Sequence, residues 1–123
     1  MGSSEAGKVL GPLEAEAMEV LWAGAEPLSV RAVLDRVNTD RVPPLAYTTV
    51  MTVLARLADK GILLRERDGR GYVYRPALPD AAAIAVRGVV RDFGEAAVAG
   101  FVDEARADPR LLRRLRTLLD DPS

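Results

Sequence analysis

The stretch from Pro43-Pro44 to Gly61 constrains the fold most. Two consecutive prolines hold the backbone extended and break the helix before them. After them Val50, Val53, Leu54 and Leu57 recur at i, i+3, i+4 and i+7, which is one apolar stripe on an α-helix. Gly61 ends that helix. Thr48, Thr49, Met51, Thr52 and Arg56 lie off the stripe. The first three turns carry almost no charge, where a helix that only needs solubility uses Glu and Lys. Short hydroxyls fit close to a phosphate or a base edge, and methyl groups contact thymine. The pattern predicts a helix that lies in a DNA major groove. The alternative is a Thr-rich helix without a partner.

The residues after Gly61 favour the groove. Ile62 to Arg67 reads as a strand, Asp68-Gly69-Arg70-Gly71 as a tight turn, and Tyr72 to Pro76 as a second strand, so together as a β-hairpin. Arg65, Arg67, Arg70 and Arg75 cluster on or near it. Upstream, Gly11-Pro12 opens a first helix whose expected buried face is Leu13, Ala17, Val20 and Leu21, with Gly24 as its stop. Trp22 is expected in the core. Ser29 caps a second helix with Val30, Val33, Leu34 and Val37 inward. Three helices and then a basic hairpin make the order of a winged helix-turn-helix: the third helix enters the groove and the wing touches the backbone.

Composition narrows the function classes. Cys and His are both absent, which removes thiolate and imidazole metal sites, Cys nucleophiles and every His-dependent triad. No catalytic constellation, metal site or cofactor is expected, and no enzymatic activity. No apolar run is long enough to span a bilayer, so a cytoplasmic protein is expected. The net charge of −1 hides an uneven distribution. Residues 45–75 carry six basic side chains against three acidic, whereas residues 1–44 carry four against seven. A local basic patch is what a phosphate backbone senses.

From Asp80 onward the chain reads as three short helices. Asp80 caps the first, Gly94 interrupts, and Asp108-Pro109 starts the last. Val89, Val90, Phe93, Val98, Phe101, Val102, Leu111, Leu112, Leu115, Leu118 and Leu119 supply their apolar faces. Helices this short are not stable alone. A homodimerisation segment is expected, with packing back on the first domain as the alternative. The expected division is a winged domain over 10–77 and a helical dimerisation domain over 80–121. The fold class is therefore mainly α with one small β-hairpin.

With these residues in view, the chain resembles the penicillinase-repressor family, the BlaI/MecI-type regulators that include a copper-responsive CopY branch. Leu13-Glu14 through Val20-Leu21-Trp22 is similar to the family's opening helix. Ala46-Tyr47-Thr48-Thr49-Val50-Met51-Thr52-Val53-Leu54 with Arg56-Leu57, Lys60 and Gly61 is similar to its recognition helix and is the most specific match. Tyr72-Val73-Tyr74-Arg75-Pro76 resembles the end of its wing. The resemblance covers about residues 10–120. It implies a homodimeric repressor on a short palindrome of double-stranded operator DNA. It places Tyr47, Thr48, Thr49, Met51 and Thr52 at the groove and Arg56, Arg67 and Arg70 on phosphates. Some relatives carry Lys or Arg where this chain has Thr48 and Met51. The resemblance also implies a membrane sensor-protease that clips the dimerisation region before a Phe. The matching bond is Gly100-Phe101, with Gly100 in place of the usual Asn. The copper branch senses metal through Cys pairs, which this chain lacks.

Two other readings are a small-molecule-sensing winged-helix regulator and a winged-helix interaction module that does not bind DNA.

Overall fold

A computed structural model describes residues 5–120. A single 3-10 turn, Glu5–Lys8, precedes helix α1 (Pro12–Ala23). Strand β1 (Leu28–Ser29), helix α2 (Val30–Val37), helix α3 (Tyr47–Asp59) and strands β2 (Leu63–Asp68) and β3 (Gly71–Pro76) come next. Helices α4 (Ala81–Phe93), α5 (Glu95–Ala107) and α6 (Pro109–Asp120) complete the order. The chain divides into two compact units, one reaching Ile84 and the other starting at Ala85.

In the first unit, α1, α2 and α3 pack on one another and on a three-stranded antiparallel sheet of order β1-β3-β2. Its core joins Met18 and Leu21 of α1, Val33 of α2, Leu54 and Leu57 of α3, and Leu63 of β2, all almost fully buried. Ile84, in the first turn of α4, belongs to this same core. Pro12 stands at the start of α1, where its missing N–H has no helical partner to lose. The buried face of α1 differs from the expected one. Ala15 and Met18 are inside with Ala17 and Leu21, while Leu13 and Val20 are half-buried. Glu14, Glu16 and Glu19 are spread around this helix, so its own spacing does not single out one face. Trp22 packs against the edge of the core and donates its indole N–H to the Leu78 carbonyl, 2.9 Å away. That bond ties the end of α1 to the segment leaving β3. Ser29 caps α2 by accepting the Ala32 N–H at 3.1 Å.

At the start of α4, still within the first unit, Asp80 accepts the Ala83 N–H; in the second unit Asp108 accepts the Arg110 N–H at the start of α6. Helix α5 packs against α6. Among the described residues of this unit, Ala97 and Ala105 are the buried ones.

Candidate nucleic-acid interface

Helix α3 is held from below. Val50, Leu54 and Leu57 are buried and Val53 is half-buried, as a stripe of that spacing requires. Its end is a Schellman motif. The Gly61 N–H reaches the Ala58 carbonyl at 3.0 Å and the Ile62 N–H reaches Leu57 at 2.9 Å. Gly61 adopts φ 77°, the left-handed conformation that closure demands.

The opposite side of α3 is exposed. Thr48, Thr52 and Arg56 recur there at i, i+4 and i+8, and Tyr47 and Met51 flank them one turn apart. Asp59 continues the same side in the last turn. A carboxylate repels phosphate, so the surface suited to DNA is the first two and a half turns. Thr49 sits apart from the others. It is half-buried and lines a narrow crevice with Val37, Leu45 and Val53. Its position one residue before Val50 and four before Val53 turns it toward α2.

The wing places its arginines unequally. In the hairpin register Arg67 lies opposite Tyr72 and Arg65 opposite Tyr74, so both arginines share one face. Their guanidinium groups lie 5.7 and 4.6 Å from the Tyr72 ring centre, and Arg67 also donates to the Tyr72 hydroxyl at 3.4 Å. Arg75 is on the other face and donates to the Glu66 carboxylate at 3.0 Å, which neutralises it. Arg70 sits in the two-residue turn after Gly69, whose φ of 62° followed by a residue without positive φ is the type II′ pattern. Among the described residues, the side chain of neither Arg56 nor Arg70 has a hydrogen-bond or ion-pair partner.

The sequence profile of the penicillinase repressor matches residues 10–121. The chain belongs to the penicillinase repressor family. A relative in this family, the transcriptional regulator BlaI of Mycobacterium tuberculosis, is 49% identical over 67 residues, which are 54% of this chain and 47% of the relative. The chain thus spans about half the length of the curated relatives it matches. Two solved structures are similar. One is the solution structure of the DNA binding domain of the repressor BlaI, with 26% identity, 62% of this chain and 85% of that one covered, and a TM-score of 0.48. The other is the Bacillus licheniformis BlaI monomeric form in complex with the blaP half-operator, with 28% identity, 56% and 80% covered, and a TM-score of 0.47.

The family's second expected surface lies beyond Ile84. Val89, Val90, Phe93, Val98, Phe101, Leu111, Leu118 and Leu119 are all exposed, Phe93 at 66% and Leu119 at 75%. Val102, Leu112 and Leu115 are half-buried. Val86, on the same helix as Val89, Val90 and Phe93, is exposed as well, at 44%. Gly100 and Phe101 lie in the middle of α5, both exposed. Among the described residues no helix is long and apolar enough to cross a membrane.

Two further side chains, on α2 and on the turn after it, are not expected from the sequence. Arg31 lies over the Tyr47 ring, its guanidinium carbon 5.4 Å from the centre. Asn38 makes two hydrogen bonds to the Leu45 backbone. An Asn next to Thr-Asp is a common turn signal, and nothing in the sequence marks which backbone it grips.

Proposed function

We propose that this protein is a transcriptional repressor that binds a palindromic operator as a homodimer. The observation that carries the reading is the exposed, uncharged start of α3, with Tyr47, Thr48, Met51 and Thr52 outward and Arg56 and Arg70 unpaired among the described residues. Uncharged side chains leave base edges readable, while unpaired guanidiniums suit phosphates. Arg67 is the third phosphate candidate, presented on the Tyr72 ring. Thr49, half-buried, supports the helix from its edge and approaches DNA less than Thr48 or Thr52.

The dimer is read from the second unit, where α4, α5 and α6 leave valines, phenylalanines and leucines exposed. A water-facing apolar surface of that kind marks an interaction site. A second copy suits it because two recognition helices then read two half-sites. β-Lactam resistance or a related stress operon is the regulated pathway the family suggests.

Clipping by a membrane sensor-protease at Gly100–Phe101 is the route of induction we propose. The bond lies inside α5, so a protease needs that helix locally opened. An interior glycine costs a helix about 1 kcal/mol relative to Ala, which eases the opening. Blotting for the protein after β-lactam exposure of its host reads this directly; an intact chain sinks the clipping proposal.

The deciding experiment is selection of bound DNA from a random pool at near-physiological salt. Recovery of a two-half-site palindrome supports the reading. Failure to enrich any sequence, with binding that does not weaken as salt rises, favours an interaction module instead. A small-molecule sensor is the second reading. A recess of about 660 Å³ between α1 and α2, lined by Leu10, Val20, Glu19, Arg36 and Asp40, favours it. A ligand there would raise the melting temperature, the more so the further its concentration exceeds its dissociation constant.

A further inference from the structure

Helix α3 has no cap of its own. Its N-cap is Ala46, whose side chain accepts nothing, so the first turn rests on backbone bonds from Thr49 and Val50 to the Ala46 carbonyl, 3.1 and 3.3 Å long. Full burial on the helix begins only at Val50, with Thr49 half-buried before it and the Tyr47 ring met by Arg31. Tyr47 and Thr48, which lead the proposed groove surface, thus precede the enclosed part.

A further constraint on the entry to the helix comes from the residue that ends α2. Asn38 is the C-cap of α2, and its side chain meets the backbone of Leu45 twice. Its amide Nδ2 donates to the Leu45 carbonyl at 3.0 Å, and its Oδ1 accepts the Leu45 N–H at 2.8 Å. Both residues are half-buried, and Leu45 packs against the core. The two bonds close a ring around the segment 38–45, which contains both prolines and is otherwise tied by the Arg41–Glu16 ion pair and by turn bonds at Thr39 and Arg41. They also fill the donor and the acceptor of the residue immediately before the N-cap of α3. Loss of either leaves a half-buried polar group facing poor solvation.

From this geometry we infer that Asn38 is a positioning residue for DNA recognition. It fixes the first turn of α3, and with it Tyr47 and Thr48, without touching DNA itself. The inference rests on the proposed groove role of α3. The rest of α3 is held by Val50, Leu54, Leu57 and the Gly61 motif, so Asn38 governs the helix start and not its existence.

The test compares Asn38→Ala and Asn38→Asp with the wild-type chain. Asp keeps the acceptor for the Leu45 N–H and loses the donor to its carbonyl. Two readouts are taken on the full chain. The first is amide hydrogen exchange of the free protein. Asn38→Ala is expected to speed exchange at Leu45, Thr49 and Val50, with Asp intermediate and with Leu54 and Leu57 unchanged. The second is the ratio of affinities for the selected sequence and for random DNA of equal length, measured well below the melting temperature. That ratio is expected to fall about tenfold in Asn38→Ala, the scale of one base contact, and less in Asn38→Asp. Affinity for random DNA and its salt slope stay as in the wild type, because the phosphate-facing arginines are untouched. Equal losses on both DNAs, or unchanged exchange at Thr49 and Val50, overturn the inference. Should the wild-type chain itself select no sequence, the functional reading fails, and the exchange pattern still decides whether Asn38 fixes the helix start.

Discussion

The two units of this chain spend their apolar residues in opposite ways. In the first, Met18, Leu21, Val33, Leu54, Leu57 and Leu63 are each almost wholly enclosed, and the open side of α3 is left mainly to hydroxyls, a thioether and one arginine. In the second, the buried residues are alanines, Ala97 and Ala105, while Phe93, Phe101 and Leu119 face water. The first unit is a finished fold with a polar working face. Among its described residues the second has regular helices and no large enclosed side chain. A chain built this way is suited to two partners through two chemistries, one polar and charged, the other apolar.

Truncation of an enclosed side chain tests the first half of that contrast and gives the largest effect. Leu54→Ala removes a side chain with no exposed surface and should cost about 2–5 kcal/mol of stability. Thermal unfolding measured at several protein concentrations should show the same loss at each. A cost that grew on dilution would mean that the first unit, too, depends on a second copy.

The second half predicts the reverse. Leu118 is 52% exposed, and in a lone chain Leu118→Asp should change stability by no more than about 0.5 kcal/mol. In a dimer that buries the α6 leucines it places an unpaired charge in an apolar interface, which raises the dissociation constant by about a hundredfold, roughly 3 kcal/mol. Sedimentation velocity separates the two. A mutant that stays dimeric removes α6 from the interface and leaves the exposed leucines without an explanation.

The contrast was only partly legible in the sequence. Helix limits after Asp80 and Asp108 were readable because caps and Pro are local chemistry, and Asp80 and Asp108 do bond the first-turn N–H groups. The stripe of α3 was readable because one face is apolar and the other is not. The face of α1 was not, because Leu13, Met18 and Val20 compete on a helix whose glutamates are spread around it, and tertiary packing chose Met18. β1 is two residues long and exists only through its pairing with β3, so it left no period to find. Among the candidate site residues, Thr48, Met51, Thr52 and Arg56 emerge together on the open side, as the spacing implies. Thr49 does not, since its orientation depends on where α2 lies. The clamp from Asn38 to Leu45 spans seven residues and a proline pair, and only the folded path brings them together.

Within the first unit, the working face can be divided further. Thr52 is exposed in the middle of the outward side of α3. Thr52→Ala should leave the fold intact and alter preference at one base pair of each half-site by about 1–3 kcal/mol. Repeating the selection with the mutant reads this as relaxed preference at one symmetric pair of positions. Equal weakening on every sequence would assign Thr52 to the backbone instead.

Arg70 should give the smallest effect, and one of a different kind. It sits at the tip of the wing, next to Gly69, with no partner among the described residues, so removing it disrupts no ion pair within the fold. Arg75, by contrast, is already neutralised by Glu66. If the wing lies along the phosphate backbone, Arg70→Ala weakens selected and random DNA by the same factor. It also lowers the slope of log affinity against log salt by about 0.9 for each protomer, and about twice that for a dimer on two half-sites. Arg75→Ala should change the slope less, because Glu66 already offsets its charge. A salt titration of the two mutants side by side therefore asks which arginines the wing offers to DNA and which it uses on itself. Equal slopes for Arg70→Ala and the wild-type chain would show that the wing tip stands away from the phosphates, leaving α3 and Arg56 to hold the half-site.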